Sequence, residues 1–180
     1  MSFEERHKEG YELLHEKDLD SSLDMARRLQ RMKPDAPEGY TLEAEVMQKL
    51  SQWDASITSL NEAIELDSDS GRLYNLRGYA YLNKDDLEKA HEDFEMAIAL
   101  DNLPSAHRHL VLYKLMTGKG NEAITYLLDR IRTDPRDVEN WILMGDLMKK
   151  GGHEAKARSY YEQALRMDPD NEYVKELLNH

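Results

Sequence analysis

The prolines of this chain keep a beat. Pro34, Pro37, Pro104, Pro135 and Pro169 all fall at the first or the thirty-second place of a unit if units begin at Phe3, Pro37, Gly71, Pro104 and Val138. The units span 3–36, 37–70, 71–103, 104–137 and 138–171, with residues 172–180 left over. A fixed period of this length is the mark of a repeat architecture, in which one supersecondary element is copied along the chain. Proline cannot sit inside a helix without breaking it, so prolines confined to unit joints leave long segments free to be helical. Those segments are rich in Leu, Ala, Glu, Lys and Met, the residues that lose least on entering a helix.

Each unit divides again near its middle. In the second, Tyr40, Leu42, Ala44, Met47 and Leu50 follow a helical spacing, and the pattern restarts with Trp53, Ile57, Leu60, Ala63 and Ile64. Ser51 with Asp54, and Asp85 with Glu88, read as capping boxes at such restarts. Gly118-Lys119-Gly120 and Gly151-Gly152 mark the breaks of the fourth and fifth units, since glycine ends helices. No segment sustains a two-residue alternation, so no strand is expected. The expected helices are 3–16, 19–32, 37–50, 53–66, 71–83, 86–100, 104–117, 121–133, 138–150 and 153–167, with a short last one over 171–179.

Two places of the unit stay small. The eighth reads Gly10, Ala44, Gly78, Val111 and Gly145, and the twentieth reads Ser22, Ser56, Ala90, Ala123 and Ala157. Helix axes approach to about 8–10 Å only where the residues at the crossing leave room. Large residues fill the space between, as at the twenty-fourth place with Leu60, Phe94, Leu127 and Tyr161 and at the fourth with Tyr40, Tyr74 and Trp141. These residues resemble the tetratricopeptide repeat, whose pattern is W-x2-L-G-x2-Y, A-x3-F and a closing P. The fifth unit matches with Trp141, Met144, Gly145, Met148, Ala157, Tyr161 and Pro169, and the third with Tyr74, Gly78, Tyr81, Ala90 and Phe94. The first unit departs with Arg6 and Ala26 at large-residue places. The fourth departs with Val111, Arg130 and one residue deleted before it, so local distortion is expected there.

The resemblance implies an all-α, right-handed α-solenoid of five helix-turn-helix units plus a short C-terminal capping helix, forming a single domain over 1–180. It also implies a concave groove lined by the first helix of each unit. Carried onto this sequence, the partner-binding residues are Thr41, Glu45, Arg72, Asn75, Leu76, Tyr79, Arg108, His109, Leu112, Ile142 and Asp146. The function expected is a protein–protein interaction scaffold that takes a partner peptide or helix in that groove, without catalysis. The alternative is a self-assembling homo-oligomeric scaffold, dimerising through its terminal units, or a secretion or assembly chaperone. The family's two-carboxylate clamp is not expected: its five places hold His7, Tyr11, Leu42, Arg72 and Leu76 counted from the first unit, and no other window fits better.

Charge narrows the partners. The chain of 180 residues has 24 basic and 36 acidic residues, a net charge of −12, which disfavours nucleic acid because that binding rests on phosphate neutralisation. Unit by unit the charge is −2, −7, −3, +2 and −1, and the tail adds −1, so the fourth unit is a basic island around Arg108. An acidic or C-terminal peptide is the expected partner, its carboxylate near Arg108 and its apolar residues on Leu76, Tyr79 and Leu112. Arginine suits that task because its fork donates two hydrogen bonds to one carboxylate.

Other chemistry is not expected. There is no cysteine, which excludes disulfides and thiolate ligands. No His-Glu-x-x-His motif occurs, Asp67-Ser68-Asp69 lacks the glycine and glutamate of a calcium loop, and Gly118-Lys119-Gly120 lacks the rest of a phosphate loop. No cofactor and no metal are therefore expected. No apolar run approaches the length of a membrane span, and the acidic first twenty residues do not read as a targeting signal, so a cytoplasmic location is expected.

Overall fold

The computed structural model describes residues 1–179. The described residues form eleven α-helices: α1 (Phe3–His15), α2 (Leu19–Met32), α3 (Glu38–Lys49), α4 (Trp53–Leu66), α5 (Gly71–Asn83), α6 (Leu87–Asp101), α7 (Pro104–Met116), α8 (Gly120–Thr133), α9 (Val138–Lys150), α10 (Glu154–Met167) and α11 (Glu172–Asn179). Every boundary lies within a residue of the expected one. The fold is an all-α repeat of helical hairpins. None of the described helices is long and apolar enough to cross a membrane.

The chain forms two compact bodies, residues 1–113 and 114–180, divided within α7. In the first body, α1·α2, α3·α4 and α5·α6 pair as hairpins, and α2·α3 and α4·α5 stack one hairpin on the next. The first helices also meet each other, α1 with α3 and α3 with α5. In the second body α9 pairs with α10, and α8 and α11 flank that hairpin. A hairpin of this size cannot bury its own apolar face, so each depends on its neighbours for a core.

The small places do what their spacing implies. All ten are buried, from Gly10 and Ser22 to Gly145 and Ala157. At Gly78 an added Cβ would lie 2.7 Å from Cε1 of Phe94, and at Gly145 it would lie 2.4 Å from Cε1 of Tyr161. These glycines are the floor on which the twenty-fourth-place ring rests. Ala26, Leu60, Phe94, Leu127 and Tyr161 are all buried in turn.

The turn inside every hairpin is one structure built five times. Lys17, Ser51, Asp85, Gly118 and Gly152 all have positive φ and all hold the fifteenth place of their unit. The amide after each reaches back five residues, as in Asp18 N–H to Leu13 C=O (2.9 Å) and His153 N–H to Met148 C=O (2.8 Å). The residue's own amide reaches back three, as in Ser51 N–H to Gln48 C=O (3.0 Å). This is the Schellman arrangement, which satisfies carbonyls that a helix end leaves orphaned.

Two expectations change here. Ser51 and Asp85 are these left-handed residues, not helix caps. The N-cap of α4 is Gln52, without a side-chain bond, and that of α6 is Asp86, whose carboxylate accepts from the Lys89 amide. A true capping box opens α1 instead, Ser2 and Glu5 each accepting from the other's backbone amide. A non-glycine residue in this region costs about 1–2 kcal/mol, only part of which glycine's greater chain entropy offsets. Ser51→Gly is therefore expected to raise stability by about 0.5–1 kcal/mol in urea unfolding.

Inter-repeat joints follow another rule. The fourth-place aromatic reaches back to the proline of the preceding joint: Trp141 Nε1 donates to the Pro135 carbonyl at 2.9 Å, and Tyr40 O–H to that of Pro34 at 3.4 Å. The joint before Pro104 is one residue shorter and holds Asn102 in place of that proline. Asn102 turns left-handed at φ 48° to end α6, and its Oδ1 pairs with the fourth-place His107 ring at 2.8 Å.

Candidate functional site

In residues 1–113 the first helices carry a chain of polar and aromatic links that repeats with the unit. Tyr11 of α1 and Glu45 of α3 both hold the ninth place, and the Tyr11 hydroxyl donates to Glu45 Oε1 at 2.8 Å. Arg72, at the start of α5, pairs with the same carboxylate oxygen and donates to the Tyr11 hydroxyl at 2.9 Å. Three hairpins are thus tied at one node. Burial raises the Tyr11 pKa well above the usual phenol range, and the Glu45 charge adds to the rise while Arg72 opposes it. Burial also pulls on the Arg72 guanidinium, but Glu45 and Tyr11 outweigh it and hold the arginine firmly charged.

Further along the face, Gln48 Nε2 donates to the Leu76 carbonyl at 2.8 Å. Leu76 itself packs against the buried cluster of Ala44, Leu60, Ala63 and Leu73. Tyr79 stands edge-on to Trp53 (6.0 Å between centroids) and stacks on His109 (5.0 Å). His109 also lies against Phe94 at 5.3 Å. Asn75 anchors the imidazole. Its amide donates to Ser105 Oγ at 3.0 Å, which leaves its Oδ1 to accept from His109 Nδ1 at 2.8 Å.

Burial among these rings, with the Arg108 charge beside them, pushes the His109 pKa down to about 4. The folded state therefore holds His109 neutral, whereas the unfolded chain takes up its proton near pH 6.5. The stability this contributes is complete above pH 6.5 and is lost as pH falls toward the folded value. Between pH 7 and pH 5 the wild type is expected to lose about 1–2 kcal/mol more than His109→Gln. Urea unfolding of both proteins at the two pH values measures the difference.

Of the other expected groove residues, Thr41 is buried and uses its hydroxyl on the Pro37 carbonyl at 2.8 Å. Leu112 is 40% exposed. Arg108 is partly buried and makes no ion pair among the described residues. Ile142 and Asp146 lie in the second body. Ile142 is buried, and Asp146 accepts from the Tyr161 hydroxyl at 2.7 Å and from that of Tyr173, on α11, at 3.5 Å. Thus Glu45, Arg72, Asn75, Leu76, Tyr79 and His109 form linked parts of one face, while Thr41 and Ile142 are packing residues. The additional members are Tyr11, Gln48, Trp53 and Phe94. The signal for Tyr11 is its ninth place, the same as that of Glu45 and Tyr79.

Comparison with known proteins supplies the rest. Family models described as a TPR repeat or tetratricopeptide repeat match residues 48–85, 71–102 and 138–171, the last coinciding with the fifth unit. Tetratricopeptide repeat protein 13 of Homo sapiens is 34% identical over 110 residues, which is 60% of this chain and 12% of that protein. The chain spans only 12–18% of the curated relatives it matches. Among solved structures, TTC0263, a thermophilic TPR protein of Thermus thermophilus, superposes with a TM-score of 0.82 at 17% identity, covering 99% of this chain and 97% of that one. YrrB, described as a TPR protein with an unusual peptide-binding site, superposes at 0.61 with 14% identity, over 97% and 91% of the two chains.

Proposed function

Because the chain belongs to the tetratricopeptide-repeat family, we propose that it is a non-catalytic interaction scaffold whose five units work as one domain and whose first-helix face takes an extended segment or helix of a partner protein. The observation that carries this reading is the linked face of residues 1–113. Tyr11, Glu45 and Arg72 set its shape at one end, and Tyr79, His109 and Arg108 offer ring surface and an uncommitted cation at the other. Rigid aromatic rings beside an arginine are the residues that dominate affinity at protein interfaces. The net charge of −12 argues for a protein partner over nucleic acid.

The test uses peptides selected by phage display on the immobilised full chain, titrated by calorimetry. Arg108→Glu is expected to weaken binding about tenfold or more, and added salt to weaken wild-type binding. Affinity untouched by both would overturn the charged half of the reading. Tyr79→Ala tests the aromatic half in the same assay, with loss of binding expected.

Self-association is the second reading. It is favoured by Tyr173 on α11, which is 52% exposed, a large aromatic left open on the outer helix of the second body. Light scattering across a concentration series decides it, since a constant monomer mass removes it.

A further inference from the structure

A cleft of about 570 Å³ opens beside the Tyr11–Glu45–Arg72 node, where the turn of the first hairpin meets the end of α3. Its floor is apolar, formed by Leu14, Leu19 and the Tyr11 ring. Its other lining residues are mostly basic: Lys17, Lys49, Arg72 and His15 stand with the single carboxylate of Glu45. That carboxylate is already taken by Tyr11 and Arg72. Arg72 makes both of its bonds through Nη2, so the rest of its fork stays open. Lys17 and Lys49 are exposed, and neither joins an ion pair among the described residues.

Two features set this cation cluster apart from a chance arrangement of surface charge. Lys49 is the sole basic residue of residues 37–70, a unit with eight acidic ones, and it lines this cleft. Lys17 holds the left-handed fifteenth place, φ 65°, filled by Ser51, Asp85, Gly118 and Gly152 in the later units, and it alone puts a cation there.

We propose that this cleft is an anion subsite for an acidic peptide segment. A peptide carboxylate would sit among Lys17, Lys49 and the free edge of Arg72, with a neighbouring apolar side chain on Leu14, Leu19 and Tyr11. The inference rests on the scaffold reading and adds a second anchoring point for an acidic partner, on the first hairpin. Tyr11 and Arg72 hold two of the clamp places weighed in the sequence, whereas Lys17 and Lys49, which supply the added cations, hold none.

The probe is a short peptide of alternating leucine and glutamate with a free C-terminal carboxylate. Its control has glutamine for glutamate and an amidated end. Both are titrated into the isotope-labelled full chain by NMR. The glutamate peptide is expected to shift the amides of Lys17, Leu19 and Lys49, and the control to leave them in place. Lys17→Gly/Lys49→Gln is expected to weaken binding about tenfold or more. Lys17→Gly alone is expected to melt above the wild type, which separates lost binding from lost folding. Equal binding of both peptides, full affinity in the double variant, or shifts confined to Tyr79 and Arg108 would each overturn the cleft. The last of these would leave the scaffold reading intact, whereas selected peptides insensitive to both Arg108→Glu and Tyr79→Ala would overturn that reading by itself.

Discussion

Phe94→Ala is expected to cost about 3–5 kcal/mol of unfolding free energy, measured by urea denaturation. The ring is fully buried and sits between the third and fourth units. It covers Gly78 across the α5–α6 crossing and supports the His109 ring. Removing it opens a cavity that helices fixed by neighbouring hairpins cannot close completely, so a cavity penalty adds to the lost burial. The same geometry predicts coupling at Gly78. Gly78→Ala destabilises the wild type, because its methyl group would stand 2.7 Å from the ring, too close for any real contact. In the Phe94→Ala background the ring's clash is gone, only the Asp93 Cβ at 3.0 Å still crowds the methyl, and the helix gain of about 1 kcal/mol from losing a glycine offsets part or all of the cost. The two substitutions are thus expected to be non-additive by about 1 kcal/mol or more, and strict additivity would show that the two positions do not touch.

Such contacts explain why the fold is so legible. A helix crossing needs a small residue on one rod and a large one on the other, and repetition prints that need at the eighth, twentieth and twenty-fourth places. The turns are less legible. Gly118 and Gly152 announce a left-handed residue, but Lys17, Ser51 and Asp85 do not, because three units satisfy the same backbone shape without glycine. Reading Ser51 and Asp85 as caps is an error of one place, natural for residue types that serve both ends of a helix. Only their agreement in repeat position reveals them.

The site is legible by face and not by contact. Repeat position places Glu45, Arg72 and Tyr79 on the first-helix side, but it does not say that Arg72 reaches two hairpins back to Tyr11. A long side chain chooses its partner by rotamer and by what is already charged nearby. Thr41 shows the reverse case. A short hydroxyl on the same side bonds its own helix and is buried, because adjacent places on a helix differ by about 100° and the boundary between groove and core is narrow. Register also fails to foresee the pairing of Asn75 with His109. Those residues hold the fifth and sixth places, brought level by the missing residue before Pro104.

Arg77→Met is expected to cost about 3–5 kcal/mol, because it strands a carboxylate. Arg77 grips Asp93 with two bonds, Nε to Oδ2 at 2.9 Å and Nη2 to Oδ1 at 2.8 Å, and also donates to Asn61 at 2.8 Å. The rings of Tyr74 and Tyr81 lie beside the guanidinium, their centroids 5.4 and 6.0 Å away. The Asp93 side chain is only 7% exposed. Its burial raises its pKa above the ordinary aspartate value even with Arg77 in place, the arginine returning part of the loss. Arg77 is held more firmly charged by its bonds to Asp93, against the pull of its own burial. The pair therefore does not stabilise the fold by its charge so much as avoid a worse outcome. Replacing both residues, as in Arg77→Met/Asp93→Leu, is expected to recover most of the loss, since a buried pair exchanged for apolar side chains is often neutral or better. The sign with pH follows. A carboxyl whose folded pKa is raised contributes most below its unfolded value, near 3.9, and loses that contribution as pH rises through the folded value. Without Arg77 that folded value climbs further. The deficit of Arg77→Met relative to wild type should accordingly be largest at pH 7 and shrink on acidification to pH 5, and only a small remainder of it should be left in the double variant at either pH. A deficit that ignores pH would assign the loss to packing of the arginine stem against Tyr74 and Tyr81, and not to the stranded charge.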